Sequence, residues 1–383
     1  MLKKIYIHNF KCFVNFEIEL DNINLLLGNN GSGKTTLFEV LLKLQQLICS
    51  NRRVDEQPEM FSSADLPRMG YASNIQRFEL QLDGNGGLYA YVVEIEHDPN
   101  KELVRICTES LTWNEQPLYE FKIETDKYGY QKGEARLYND AQTHHDGIHY
   151  QVDWARSGLG SIYERHDNTK LIWFKKRMAQ FFIVQLNPFV MQSECRREES
   201  HPQRDLSNYA AWFAYLNNQE RRGVSKLEKE LAKILDGFDI FNLSSLSESK
   251  LLKLEFTYAD KKTVAYKFSE MSTGQKALIA LYTLLYCLPK TDYTLCLDEP
   301  ENFLALPEIQ PWLHTFYQQC EKNGGQGLLI SHHPQLINYL ASDKGIWLSG
   351  ENQIIRAQKI TQQSDKSGLS IAELIELKWI YDE

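Results

Sequence analysis

The chain has 383 residues, a net charge of −9 and ordinary globular proportions of apolar and charged residues, 43% and 24%. That length can fold as two lobes or as one domain with insertions, and no apolar run approaches the ~20 residues that cross a bilayer. An acidic chain is a poor candidate for general nucleic-acid binding, although local basic faces stay open. The seven scattered cysteines form no Cys-x-x-Cys pair, which favours reduced thiols in the cytoplasm over a disulfide framework or a zinc site.

The first 50 residues predict strands, a glycine-rich loop and a helix. Residues 2–27 alternate apolar and polar side chains and end in the apolar run "INLLL", which indicates strands of which the last is buried. The charged opening "MLKKIYIHNF" fits a strand and not a signal peptide. After the loop, apolar residues recur at helical spacing, at Leu37, Val40, Leu41, Leu44 and Ile48.

The loop itself, "GNNGSGKTT" from Gly28 to Thr36, matches the pattern G-x-x-x-x-G-K-[ST] between a buried strand and a helix. Its glycines allow the backbone to curl so that N–H groups face phosphate oxygens. In this pattern Lys34 would reach the β- and γ-phosphates of ATP, and the Thr35 hydroxyl would hold Mg²⁺. The predicted nucleotide-binding residues of the loop are Asn29, Asn30, Gly31, Ser32, Gly33, Lys34, Thr35 and Thr36.

The middle of the chain changes its pattern twice. Residues 76–154 contain strict alternation, as in "LYEFKIE", and a turn at "DGNGG", which together predict an antiparallel sheet inserted in the main domain. Helical spacing resumes around residue 170. Ser225 and Glu228 form the pattern of a capping box, which predicts a helix start at Ser225 and an end at Gly237.

The closing part of the chain alternates strands and helices, which is typical of a mostly parallel sheet. We therefore predict an α/β fold in four segments. They are residues 1–75, the first half of the main domain with the glycine loop; 76–160, the inserted antiparallel β segment; 161–250, a helical segment; and 251–383, the second half of the main domain.

Two apolar strands of the closing part end in polar residues. "YTLCLDEPEN" carries Asp298, which would join the Mg²⁺ shell, and Glu299, which would polarise an attacking water. "LLISHHPQLI" carries His332, which would hydrogen-bond the γ-phosphate and sense its presence. These residue types at the carboxyl ends of buried strands predict the catalytic groups of an ATPase.

A second anion-binding segment, "SEMSTGQKAL", precedes another apolar helix. Since the glycine loop already fills one phosphate site, this segment is best explained by the nucleotide of a second copy of the chain. Ser272, Gly274 and Gln275 would then close on the γ-phosphate held by the partner. The pattern therefore predicts a homodimer that encloses two ATP molecules.

The order of these motifs resembles that of ABC-type ATPases. The opening "IHNFKCF" followed by "INLLLGNNGSGKTT" is similar to the RecF, SMC and OLD branch, and "DEPEN" and "SHHP" resemble its stand-alone AAA-type ATPases. The resemblance covers residues 1–50 and 265–345. It implies a P-loop ATPase head with a mixed, mostly parallel sheet and flanking helices, into which an antiparallel β and helical middle is inserted.

The resemblance also assigns residues that the patterns alone do not. It implies that Lys11, the basic residue of the opening motif, contacts nucleotide. It implies a Q-loop glutamine in the Mg²⁺ shell, for which Gln185 and Gln192 are the two candidates. The chain departs from the family at Thr273 of the signature and in "FLALPE", which is one residue longer than usual after "DEPEN".

The resemblance favours a cytoplasmic regulatory ATPase that holds or releases an effector, a nuclease or toxin of a phage-defence pair, with no membrane partner. A RecF-like clamp that binds DNA across the dimer is the alternative. Short basic patches near Trp173 could line a nucleic-acid face, at Phe174–Arg177, Cys195–Ser200 and Gln219–Gly223. A transporter subunit is disfavoured by "NFKCF" and by the long insertion.

Overall fold

The computed structural model describes residues 1–67, 73–98, 103–141, 147–246, 248–259, 261–351, 354–360 and 370–377. The helices are α1 (Lys34–Cys49), α2 (Thr169–Ala179), α3 (Tyr209–Gln219), α4 (Arg221–Ile234), α5 (Thr273–Cys287), α6 (Leu306–Asn323), α7 (Pro334–Lys344) and α8 (Ile371–Glu376). The strands to β9 are β1 (Leu2–His8), β2 (Phe16–Glu19), β3 (Ile23–Gly28), β4 (Ile75–Gly84), β5 (Gly87–Asp98), β6 (Leu103–Trp113), β7 (Gln116–Thr125), β8 (Gln131–Leu137) and β9 (Ile148–Gln151). The others are β10 (Phe181–Gln185), β11 (Glu194–Cys195), β12 (Phe238–Leu246), β13 (Ser249–Thr257), β14 (Thr263–Lys267), β15 (Thr294–Asp298), β16 (Gln326–Ile330), β17 (Gly345–Glu351) and β18 (Ile354–Lys359).

The chain divides into two compact units. The first unit comprises Met1–Phe181 and Pro334–Glu383, and the second comprises Phe182–His333. This grouping brings the end of the chain together with its beginning, so it follows contacts and not sequence order. The predicted division into four segments stays a prediction.

An antiparallel sheet dominates the first unit. Among the described residues its strand order is β2-β1-β4-β5-β6-β7-β8-β9. The predicted hairpin is present, since β4 and β5 pair up to Gly84 and Gly87. The sheet is larger than the sequence indicated, because β1 pairs with β2 on one edge and with β4 on the other. The opening strands thus belong to the antiparallel sheet that we expected to be a separate insertion.

The strand before the glycine loop lies in the first unit and is completely buried. All six residues of β3 are buried, and the strand pairs in parallel with β17, with Leu27 opposite Trp347. The five apolar residues predicted to face the core from α1 are all buried. A strand covered on both faces and a helix with one apolar stripe therefore fix the position of the loop between them.

The second unit contains β15 and β16, two parallel strands of the closing part. β15 pairs in parallel with β16, so that Asp298 lies opposite Ile330, and β10 lies on the other side of β15. The buried Trp312 of α6 stacks on Phe316 and donates a hydrogen bond of 2.8 Å to the Leu281 carbonyl oxygen of α5. A smaller antiparallel group, β11-β13-β12 with β14 beside β13, completes the described strands of this unit. The predicted mixed α/β class is confirmed.

The predicted start of α4 at Ser225 is wrong. The helix begins at Arg221, directly after α3, so Ser225 lies on its exposed side within the second turn. Glu228 does not complete a capping box, since its carboxylate accepts a hydrogen bond of 3.2 Å from the Phe241 N–H at the start of β12. Sequence pattern located this helix, but a tertiary partner decided the role of Glu228.

No helix within the described residues is both long and apolar enough to span a membrane.

Gly223 allows α4 to pack closely on α5, and this contact can be tested. A Cβ at position 223 would lie 2.6 Å from the Tyr286 carbonyl oxygen. We therefore expect Gly223→Ala to lower the free energy of unfolding by about 1–3 kcal/mol, although alanine in a helix is ordinarily favoured over glycine by ~1 kcal/mol. Urea unfolding followed by circular dichroism measures the change.

Ser225→Ala is the matched control in the same helix. Because Ser225 is exposed and lies inside the helix, its loss should leave the stability unchanged. Replacing a helix-capping serine by alanine would instead lower the free energy of unfolding by about 1 kcal/mol. A stabilised Gly223→Ala variant, or a destabilised Ser225→Ala variant, would contradict the packing described here.

Candidate functional site

The glycine loop adopts a backbone shape that only glycine accommodates at two of its positions. Gly28 and Gly33 have φ angles of 145° and 91°. A Cβ on Gly28 would lie 2.3 Å from the Leu348 carbonyl oxygen, and one on Gly33 would lie 2.7 Å from the ring of Phe13. The loop is therefore enclosed from behind by β17 and by the opening motif.

The loop and the start of α1 present hydrogen-bond donors suited to an anion. α1 has no side-chain cap at Gly33 and no acidic residue in its first turn. The buried Lys34 ammonium donates to the carbonyl oxygens of Gly28 and Asn29, at 2.7 and 3.0 Å. The Ser32 hydroxyl is buried and has no hydrogen-bond partner among the described residues. A phosphate group would satisfy the open helix N-terminus, so the loop fits the predicted nucleotide.

The predicted Mg²⁺ ligand of the loop is accessible. Thr35 is exposed, as are Asn29, Asn30 and Gly31, whereas Thr36 is half-buried. Thr36 hydrogen-bonds with the Cys12 thiol, and this bond opposes the effect of burial, which raises the pKa of Cys12. The exposed Thr35 hydroxyl is therefore accessible to a cation from solvent, while Thr36 is hydrogen-bonded to the opening motif.

Lys11 is engaged in an ion-pair network with α1. Its ammonium lies 2.6 Å from both carboxylate oxygens of Glu39 and 3.6 Å from Asp65. Lys43 joins the same network at 3.6 Å from Glu39. Burial lowers the pKa of Lys43, and the two carboxylates act in the opposite direction. The network orients the opening motif against α1, and the contact of Lys11 with nucleotide stays a prediction.

The second predicted anion-binding segment forms the start of α5 in the second unit. Ser272 Oγ accepts a hydrogen bond of 3.2 Å from the Gln275 N–H, and Gln275 Oε1 accepts one of 3.0 Å from the Ser272 N–H. Both side chains therefore cap the helix reciprocally. Because a hydroxyl that accepts one bond still carries its own proton, exposed Ser272 can donate to a phosphate oxygen. Gly274 packs against the Phe303 carbonyl oxygen, which a Cβ would approach to 3.1 Å.

The end of β15 holds the two predicted acidic residues in different settings. Asp298 is buried, whereas Glu299 is partly exposed and has a φ of 49°, an uncommon angle for a residue other than glycine. The Glu299 N–H donates to the Ile330 carbonyl oxygen at 2.9 Å, which holds this conformation. Glu299 Oε1 lies 3.8 Å from His332 Nε2. The structure thus brings the two predicted catalytic side chains together.

Glu301, which the sequence analysis did not select, holds the end of β16 in place. Its carboxylate accepts hydrogen bonds from the Ser331 hydroxyl at 2.5 Å and from the His332 N–H at 3.3 Å. Burial raises the pKa of Glu301, and the bond from Ser331 opposes that rise. The residue positions His332, and the only sequence signal for it is the second glutamate of "DEPEN".

The two candidate Q-loop glutamines differ in their surroundings. Gln185 is the last residue of β10, the strand beside β15, and its N–H donates to the Arg204 carbonyl oxygen at 2.7 Å. Gln192 Nε2 donates to the Val190 carbonyl oxygen, a contact within its own turn. The geometry therefore favours Gln185 as the candidate associated with Asp298.

The first basic patch is partly buried, while its Lys176 is exposed. Phe174 and Arg177 are 0% and 2% exposed, and Trp173 stacks on Tyr89 at a ring-centroid distance of 4.9 Å. These aromatic rings therefore cannot stack on nucleic-acid bases, as the DNA-binding alternative required of them. Arg196 and Arg197 of the second patch are exposed.

A family model described as "AAA domain, putative AbiEii toxin, Type IV TA system" matches residues 23–338. The chain belongs to this AAA-domain family. The match runs from β3, before the glycine loop, into α7, and so it includes both anion-binding segments and both catalytic candidates. A search of curated proteins gives no match.

Solved structures agree with the fold. A structure of the SMC head bound to the C-winged helix domain of ScpA matches 95% of this chain and 99% of that chain, with a TM-score of 0.51 and 10% identity. The SMC head domain from Thermotoga maritima matches 94% of this chain and 98% of that chain, with a TM-score of 0.47 and 15% identity. An Smc head domain derived from Pyrococcus furiosus matches 98% of both chains, with a TM-score of 0.49 and 12% identity. The SMC-head structure with a TM-score of 0.51 shows a shared fold, and the predicted fold of an ATPase head is confirmed.

The role of Glu301 predicts a pH-dependent effect on stability. Its carboxyl has a pKa above the ordinary 4.5 in the folded chain, so the stability associated with it is lost as the pH rises through that raised pKa. The amide introduced by Glu301→Gln would still accept both hydrogen bonds but would not titrate. The free energy of unfolding of Glu301→Gln should therefore exceed that of the wild-type chain by an amount that increases with pH above 4.5. Denaturant unfolding at a series of pH values measures this difference.

Glu301→Ala provides the control for this measurement. It leaves the buried Ser331 hydroxyl without its acceptor, so it should lower stability by about 1–3 kcal/mol at every pH. A difference between Glu301→Gln and wild type that does not change with pH would show that the buried carboxyl has no raised pKa.

Proposed function

We propose that the chain binds ATP at the loop Gly28–Thr36, with Mg²⁺ held by Thr35, Asp298 and Gln185. The observation that carries this proposal is the uncapped start of α1, which directly follows the glycine loop and carries the Lys34 ammonium. Bound Mg²⁺ would supply positive charge to neutralise the phosphate oxygens. Lys34 exchanges the carbonyl oxygens of its own loop for phosphate oxygens, which form stronger, charge-assisted bonds with an ammonium.

Hydrolysis in this proposal uses Glu299 and His332. Glu299 orients the attacking water and accepts its proton, and His332 lies 3.8 Å from its carboxylate. His332 donates a hydrogen bond to the γ-phosphate and so reports whether that group is present. Glu301 keeps His332 beside Glu299 through the hydrogen bond to its N–H.

Two copies of the chain enclose two ATP molecules. Each chain contains two helix starts suited to anions, α1 and α5, and one ATP at the glycine loop uses the first of them. The start of α5 then serves the γ-phosphate of the partner, through the Ser272 hydroxyl, the Gly274 backbone and Gln275. ATP holds the dimer closed, and hydrolysis removes the γ-phosphate and lets the two copies separate.

The opening and closing of the dimer regulate an effector partner in the cytoplasm, a nuclease or toxin in anti-phage defence. The description of the family as a putative toxin of a type IV TA system is consistent with this setting. The DNA clamp receives less support, because the aromatic residues next to the first basic patch are packed in the core.

Glu299→Gln tests hydrolysis and dimer closure together. The variant keeps the hydrogen-bond partners of the site but cannot accept a proton, so we expect ATP binding to persist and turnover to fall by roughly 10²–10⁴-fold. Light scattering in ATP should then give twice the mass measured without nucleotide. An unchanged mass would contradict ATP-dependent closure.

Lys34→Ala is the companion variant for the binding step. It should abolish nucleotide binding, as measured by fluorescence with a labelled ATP analogue, and it should stay monomeric in ATP. Lys229→Ala, a change of the same charge at an exposed position of α4, is the matched control and should bind as wild type does. Tight binding by Lys34→Ala would overturn the assignment of the loop.

Affinity capture with tagged Glu299→Gln from the native host in ATP addresses the partner. A stoichiometric protein with nuclease or toxin character supports the regulatory proposal. Recovery of DNA without a protein partner, together with a steeply salt-dependent stimulation of turnover by DNA, would support the clamp instead.

A further inference from the structure

Arg204 lies beside the carboxylate that the proposed function gives to Mg²⁺. Its Nη2 atom is 3.9 Å from Asp298 Oδ2, and the side chains are 30% and 5% exposed. Within the part of the chain that the structure describes, this ion pair is the one polar contact of the guanidinium. Most of its five N–H donors are therefore available to another acceptor.

The segment that carries Arg204 is held by a dense set of hydrogen bonds. The Arg204 carbonyl oxygen accepts from the Gln185 N–H at the end of β10. On the preceding side, the Asn208 side chain accepts from the Gln203 N–H at 2.8 Å and donates to the His201 carbonyl oxygen at 3.0 Å. The backbone thus fixes where the arginine side chain begins, while its guanidinium stays partly exposed.

A guanidinium and a divalent cation are alternative counter-ions for one carboxylate. Asp298 is almost completely buried, and a buried carboxylate needs a positive partner. Arginine meets this need because it is always charged, and it also binds phosphate well through its planar array of donors. The pair at 3.9 Å is longer than a hydrogen bond, so the arginine can leave at little cost.

We propose that Arg204 is the built-in counter-ion of Asp298, which a divalent cation must displace before nucleotide binding is complete. Arg204 then turns to a phosphate oxygen of the nucleotide. It is a positioning residue that couples the arrival of the metal ion to that of the nucleotide. This inference rests on the proposed function in taking Asp298 as the Mg²⁺ ligand.

Competition between Arg204 and a metal ion can be measured without nucleotide or turnover. We would titrate the full chain with Mn²⁺ and follow the free ion by electron paramagnetic resonance. Arg204→Gln should bind Mn²⁺ roughly two- to fivefold more tightly than wild type, because the competing charge is gone. Arg204→Lys keeps a positive charge and should stay close to wild type.

Two further variants make the result specific. Arg196→Gln removes the same charge from an exposed position of the same unit and should leave Mn²⁺ affinity unchanged. Adding Asp298→Asn to Arg204→Gln should remove the gain, because the ion would lose its carboxylate. Arg204→Gln with wild-type affinity, or a gain that persists without Asp298, would overturn the proposal. Failure of the proposed function would show separately, as no ATP binding in any variant.

Discussion

The tight backbone turn between Gly28 and Gly33 determines where an anion can bind, and the other features of the site depend on it. The turn cannot admit side chains at these two glycines, because Leu348 and Phe13 close it from behind. It ends at the uncapped start of α1, a helix of 16 residues whose aligned peptide groups favour negative charge. The buried strand β3 and the apolar stripe of α1 hold this turn in place.

Three cationic residues named in the proposals have partners within their own unit. Lys34 donates to carbonyl oxygens of its own loop, Lys11 pairs with Glu39, and Arg204 pairs with Asp298. Binding of a nucleotide would therefore exchange partners and not fill a set of unpaired charges. Such exchange costs little energy, since each cation leaves one anionic or polar partner for another. It also makes the response depend on the phosphate groups and metal ion together.

The residues that sequence alone could predict are those whose role is set by neighbours in the chain. The glycine loop, the buried strand ending at Asp298 and the helix that follows Ser272 each carry their own local pattern. The pairing of β1 with β4, the true start of α4 and the roles of Glu301 and Arg204 depend on partners far away in sequence. Trp173 and Phe174 looked available for stacking, but the sheet covers them. Hydrophobic periodicity alone could not predict that the sheet would pack on these two side chains.

Closure of one chain on the nucleotide of another is the central claim, and cross-linking tests it most directly. Isotopically heavy chain with Lys34→Ala, which should not bind nucleotide, would be mixed with light wild-type chain and an ATP analogue carrying a photoreactive γ-phosphate. Closure in trans predicts label on residues 269–278 of the heavy chain, found by mass spectrometry of the digest. Label confined to the light chain would contradict it.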